Sequence, residues 1–250
     1  MLSDKKVEFT KETIDLYLKE VAKEYRKLVG QTMPAEIVLI GGASVMINYG
    51  FRNMTSDVDA AIRASSSMKD AISRVGDKYD LPVGWLNSDF LRTNSYTPRL
   101  YQYSDYYKTF SNVVAIRTVS AEYLIAMKLM AGRRYKNDLS DIVGVLAEHE
   151  KQGSPISMER IETAVQNLYG DWEKLPDNSK DFIGSVMKKG HFEKQYQVIL
   201  EGEKEVKDAL VSFENKYPGV TTESNVNEIL EVLKQKTKQQ ASGKKMGRER

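Results

Sequence analysis

The stretch IVLIGGASVMINYGFRNMTSDVDAAI, Ile37 to Ile62, restricts this chain more than any other part of it. An apolar, β-branched run from Glu36 to Ile40 reads as a buried strand and stops at Gly41-Gly42. Ala43 to Tyr49 then has helical character, and a second strand, Asp57 to Ile62, opens on Asp57-Val58-Asp59. Side chains alternate faces along a strand, so Asp57 and Asp59 share one face while Val58 points to the core. Two carboxylates at that spacing suit Mg²⁺ or Mn²⁺, hard cations that in pairs clamp the attacking and leaving oxygens of an in-line phosphoryl displacement. Glycines at the end of the first strand let backbone amides approach a triphosphate, and the following helix turns its positive end to the same anion. Gly41, Gly42 and Ser44 are therefore the candidate cradle, and Asp57 and Asp59 the candidate metal ligands.

The surrounding pattern predicts an α+β fold: a small mixed β-sheet core flanked by helices, followed by an all-helical C-terminal region. Apolar spacing predicts a helix over Lys11 to Leu28, another over Met68 to Tyr79 ended by Leu81-Pro82, and a strand over Val113 to Arg117. Beyond Ser120 only helices are expected: Glu122 to Ala131, Leu139 to His149, Ser157 to Tyr169, Asp181 to Lys188, Glu193 to Lys216 and Ser224 to Lys236. The change of pattern places a boundary near residue 118, giving a core at 1–118, a helical domain at 119–236 that completes the cleft, and a basic, disordered tail at 237–250. From Lys234 onward seven basic residues face one acidic, so the end carries +6 and the remainder about −4. Such a segment suits an electrostatic tether to a polyanion, or a solubilising terminus with no partner.

The chain has 250 residues and is 41% hydrophobic, enough for a sizeable core. It has no cysteine, which excludes disulfides and thiolate metal sites. The start, MLSDKKVEFTKE, lacks an apolar leader, and no run is long enough to cross a bilayer, so a cytoplasmic protein without membrane contact is expected.

These residues resemble the nucleotidyltransferases of the DNA polymerase β superfold, and within it the minimal prokaryotic branch of AbiEii and MenT-like toxin proteins. That branch shows Gly-Gly, a helix, Arg, Ser or Thr, and Asp-hydrophobic-Asp; this chain has Gly41-Gly42, Arg52, Thr55-Ser56 and Asp57-Val58-Asp59 in that order. The similarity continues in Lys128-Leu129-Met130-Ala131-Gly132-Arg133 and Asp138-Leu139-Ser140-Asp141, and in Gly84-Trp85-Leu86-Asn87, covering residues 36 to about 146.

The resemblance implies that Asp57 and Asp59 hold the metals, that Gly41, Gly42, Ser44 and Ser56 lie at the triphosphate, and that Lys128 neutralises phosphate charge. Arg133 or Arg134 would reach the same region, as suits cations one helical turn further on. Larger members of the superfold carry a third carboxylate on a later strand; Val113 to Ile116 has none, which leaves Asp138 as a substitute catalytic carboxylate or leaves activation to the metal. The implied activity is metal-dependent transfer of a nucleoside monophosphate from a nucleoside triphosphate to a hydroxyl, on an RNA 3′ end (transfer RNA included) or a protein. A toxin role in a toxin–antitoxin or phage-defence system, with an antitoxin partner, follows from the same likeness. The alternative is a non-catalytic nucleotide- or partner-binding protein that keeps the fold.

Plainer roles compete for several residues. Lys128 and Arg133 also fit the solvated face of a helix, and Asp138 and Asp141 fit capping positions of the next one. Trp85 fits a core anchor better than a base-stacking platform, and His149 and His191 fit isolated surface positions. Tyr96, Tyr101, Tyr103, Tyr106, Tyr107 and Phe110, interspersed with Arg92, Arg99 and Lys108, suit either a surface that stacks bases and contacts phosphates or a hairpin packed on the sheet.

Overall fold

A computed structural model describes residues 8–133, 135–222, 225–226 and 228–233. The basic tail at 237–250, Arg134, and both ends of the expected terminal helix (Ser224, and 234 to Lys236) lie outside the described residues, although 228–233 are helical.

The fold is α+β. Helix α1 (Lys11–Val29) is followed by β1 (Ala35–Leu39), α2 (Gly41–Asn48), β2 (Val58–Arg63), α3 (Ser67–Tyr79), β3 (Leu86–Asn87), β4 (Ser104–Phe110) and β5 (Val114–Val119). Five longer helices complete the order: α4 (Ala121–Ala131), α5 (Asp138–Lys151), α6 (Met158–Tyr169), α7 (Asp177–Lys189) and α8 (Phe192–Lys216). The strands form one sheet in the order β3-β2-β1-β5-β4. β1 runs antiparallel to β2 and parallel to β5, so the C-terminal ends of β1 and β5 lie beside the start of β2.

Strand alternation divides the core between the two sheet faces. Ile37 and Leu39 of β1, with Val58, Val114 and Ile116, pack under the apolar stripes of α1 and α3. Val38 and Ala61, with Val119, face the opposite way and join residues of α4 to α7 in a second cluster. Asp57, Asp59 and Arg63 have the parity of Ala61, so they are on the face turned to the helical region.

One further strand was not expected, and a second realises the hairpin alternative for the aromatic stretch. β3 is only two residues long. β4 falls in the aromatic stretch, pairs antiparallel with β5 at the sheet edge, and has an irregularity between Tyr106 and Lys108 that breaks the alternation a strand normally shows. Before α1, Phe9 exchanges both backbone hydrogen bonds with Thr55 (2.8 and 3.0 Å), pinning the segment that leads into Asp57. Thr10 and Thr13 then cap α1 reciprocally.

Candidate active site

The glycines belong to a helix rather than to a loop before it: α2 starts at Gly41, two residues earlier than expected, with Ile40 as its N-cap. Gly41 has φ +55°, a conformation side chains resist, and a Cβ there would lie 3.6 Å from Asp59 Oδ2. The Ile40 amide donates to the Asp59 carbonyl at 2.9 Å, so the helix start and the second aspartate are fixed to one another. Asp57 is exposed and immediately precedes β2; the Thr55 hydroxyl donates to its carbonyl at 3.1 Å and to its Oδ1 at 3.4 Å. Asp59 is half-buried on β2, in register with Asn87 of β3. Burial first, then the Asp57 charge, pushes the Asp59 carboxyl above its ordinary pKa, against partial relief from Lys136, Arg133 and an Asn87 hydrogen bond.

This donor set fits a divalent cation of the Mg²⁺ type, which takes one or two protein carboxylates and completes its shell with water and phosphate oxygens. Among the described residues no three His, Cys, Asp or Glu side chains come together to hold a metal, so Asp57 and Asp59 stand as a pair. Ser44, in the first turn of α2, is fully buried, and its hydroxyl has no hydrogen-bond partner among the described residues. Ser56 is exposed beside Asp57.

Gly42 has a protein neighbour at the position a side chain would take. A Cβ there would meet Arg52 Nη2 at 2.6 Å and Thr55 Oγ1 at 2.7 Å, so the bare glycine leaves room for the Arg52 guanidinium. Arg52 Nη1 continues to Asp141 Oδ2 at 2.5 Å. Lys128, only 6% exposed, sits between Asp141 Oδ2 (2.8 Å) and Asp138 Oδ1 (2.9 Å). Arg133 Nε donates to the other oxygen of Asp138 at 2.8 Å. A chain of contacts thus runs from Gly42 through Arg52, Asp141, Lys128 and Asp138 to Arg133, whose charge also acts on Asp59.

Burial opposes the charge of Lys128, Arg133 and Asp138, and the opposite charges outweigh it. Asp138 and Asp141 hold Lys128 above its ordinary pKa, and Lys128 and Arg133 hold Asp138 below its own. The solvated-face alternative for Lys128 is thereby corrected: the helix is buried at that position, and the ammonium is taken up by two carboxylates. Asp138 does not cap α5 either. Asn137 is the N-cap, and the Asp138 carboxylate, in the first helical position, turns back to α4 and Arg133. With both oxygens accepting from cations and its proton affinity lowered, Asp138 is poorly disposed to act as a base.

The amides at the start of α5 are served instead by a residue that the sequence did not single out. Glu203 of α8, 4% exposed, accepts at Oε1 from Leu139 N (2.9 Å) and Ser140 N (3.3 Å), and at Oε2 from the Ser140 hydroxyl. Burial, and secondarily Asp141, raises the Glu203 carboxyl, while those hydrogen bonds pull it down. Nothing in the run Glu201-Gly202-Glu203-Lys204-Glu205 distinguishes the middle glutamate. A signal for Arg52 did exist, in its fixed place between the glycines and the aspartates.

The remaining flagged residues take structural positions. Trp85 is buried against Phe9 and Tyr17, and its indole donates to the Ile72 carbonyl at 3.4 Å. Tyr103 stacks on Tyr123, Tyr101 lies under the Arg63 guanidinium at 3.4 Å, and Tyr107 donates to Asp15; Tyr106 is exposed. His149 is not isolated, since its Nε2 lies 3.1 Å from the Tyr49 hydroxyl. His191 is exposed at the N-cap of α8. No helix among the described residues is long and apolar enough to cross a membrane.

A family model described as a nucleotidyltransferase of unknown function (DUF6036) matches residues 17–174. No curated protein and no solved structure matches the chain.

Proposed function

The chain belongs to this family of nucleotidyltransferases, and from that premise we propose that it transfers a nucleoside monophosphate from a nucleoside triphosphate to a hydroxyl acceptor, with Mg²⁺ or Mn²⁺ and with release of pyrophosphate. The observation that carries the reading is the direct bond between the glycine helix start and the acidic strand, Ile40 N to Asp59 O. It sets amide donors for a triphosphate beside two carboxylates that repel one another until a cation joins them.

In this reading Asp57 and Asp59 hold the metal, which when bound polarises the reacting phosphoryl oxygens. Gly41, Gly42 and Ser44 supply the first turn of α2, where unpaired amides favour an anion. The unpartnered Ser44 hydroxyl fits this role, because a buried polar group without a partner is costly unless a ligand or water provides one. Arg133 is a cation suited to meet triphosphate charge, since part of its side chain (31%) remains accessible and its charge, like that of Lys136, acts on Asp59. Lys128 acts through Asp138 and Asp141. Ser56 borders the acidic pair from the solvent side.

The acceptor we propose is an RNA 3′ end or a protein side chain, and the setting a toxin-type enzyme held in check by an antitoxin. Both rest on the sequence resemblance. The test is incubation of the full chain with each α-labelled triphosphate, Mg²⁺ or Mn²⁺, and separate pools of cellular RNA and protein. Label should enter one pool, disappear with a chelator and be absent with Asp57→Ala/Asp59→Ala. Labelling that survives the double substitution overturns the site. Triphosphate binding without transfer under any metal favours the non-catalytic alternative.

A further inference from the structure

Glu203 lies outside the family match, but its contacts reach residues inside it. The match ends at residue 174, yet the first turn of α5, which supplies both carboxylates of the buried network, is tied to α8 by the Glu203 side chain. Three cations, Arg52, Lys128 and Arg133, face two anions, Asp138 and Asp141, within that network. Glu203 acts on this network through the backbone: its two oxygens engage the Leu139 and Ser140 amides and the Ser140 hydroxyl, in the turn that carries Asp138 and Asp141.

We infer that Glu203 is a positioning residue for the nucleotidyl-transfer site, and hence that α8 is a working part of the enzyme. The inference rests on the function proposed above. Glu203 fixes the first turn of α5; that turn orients Asp138; Asp138 holds the Arg133 guanidinium toward Asp59. Loss of the carboxylate frees the α5 amides and lets Asp138 and Arg133 shift, although neither is substituted. Residues that orient a ligand-contacting group from behind commonly matter by about 10- to 100-fold, and displacement of a binding group by about 1 Å has effects of that size.

The experiment compares the wild type, Glu203→Ala, Glu203→Gln and the exposed control Glu205→Gln in the labelling assay, with kcat and KM for the metal-bound triphosphate measured separately. Glu203→Ala should raise KM by about 10-fold or more because Arg133 is misplaced, whereas partial unfolding alone would lower apparent kcat and leave KM in place. Glu203→Gln keeps a carbonyl oxygen for the α5 amides and should recover most of the loss. Glu205→Gln should match the wild type. An unchanged KM in Glu203→Ala, or Glu203→Gln no better than Glu203→Ala, overturns the inference while the functional reading stands. A wild type with no metal-dependent transfer overturns that reading, and this inference with it.

Discussion

Two pairs of aspartates occupy opposite electrostatic situations in this molecule. Asp138 and Asp141 are almost fully buried, yet each has cationic partners: Lys128 between them, Arg133 on one side and Arg52 on the other. Asp57 and Asp59 are more accessible, but among the described residues no Lys or Arg hydrogen bond is directed at either, and burial together with repulsion from Asp57 raises the Asp59 carboxyl despite the Lys136 and Arg133 charges nearby. The first pair is satisfied by the protein; the second, in the function proposed above, takes its counter-charge from a bound cation. Burial and the presence of charge do not by themselves distinguish a structural acid from a ligand-binding one. What distinguishes them is whether the chain supplies the counter-charge.

The strongest way to break this comparison is at Lys128. Lys128→Ala leaves two buried carboxylates without their shared cation and should cost about 3–5 kcal/mol of stability, read from urea unfolding. A loss below about 1 kcal/mol accompanied by abolished triphosphate binding would move Lys128 into the phosphate site and erase the contrast.

The next largest effect concerns the unsatisfied pair. A metal–triphosphate complex at 100 times its Kd should stabilise the wild type by about 2.7 kcal/mol, measured as a thermal shift. Asp57→Ala/Asp59→Ala should stay folded and lose the shift; a retained shift would show that ligand binding does not need the pair.

Gly42→Val probes the link between the regions. The branched side chain collides with Arg52 and Thr55, so it should destabilise by about 1–3 kcal/mol through overpacking. If stability is unchanged and only triphosphate affinity falls, Arg52 has moved away without cost and the glycine serves the ligand alone.

The smallest effect is in pH. Asp138 has a lowered folded-state pKa, so its contribution is present above the ordinary aspartate range and is lost as pH falls through the depressed value. Asp59 has a raised one, so the stability it withholds at neutral pH returns as pH falls through that raised value. Asp59→Asn should therefore stabilise the ligand-free protein at pH 7 by about 0.5 kcal/mol and remove the shallow gain on mild acidification. Destabilisation by Asp59→Asn at pH 7 would mean that a protein cation already satisfies the group.

Helices α1, α3, α6 and α7 were legible in the sequence because each has an apolar stripe, α2 and α4 because they are largely apolar runs buried on most sides, and β1 and β2 because they are short runs between turn residues. β4 was legible only as one of two alternatives, because an edge strand leaves Asp105, Tyr106 and Thr109 facing water and its irregular register interrupts alternation. The acidic pair and glycine turn were legible from their order alone. The fate of Asp138 was not, since an acid at a helix start looks the same whether it caps that helix or reaches back to another. Glu203 was hidden for a different reason: its partners lie more than 60 positions away, and its neighbours are glutamates of the same helix.

The sheet order also imposes a timetable on biosynthesis. β1 and β2 pair antiparallel with only α2 and its loop between them, so the glycine turn and both aspartates can associate as soon as Arg63 has emerged, whereas β1 meets its parallel partner β5 only after Val114. Arg133, one of the cations that act on Asp59, is made 74 residues after it, and translation at roughly 5–20 residues per second puts several seconds between them. A nascent chain therefore carries its acidic pair before the cationic wall opposite has been made, and premature termination anywhere between them yields a half-site.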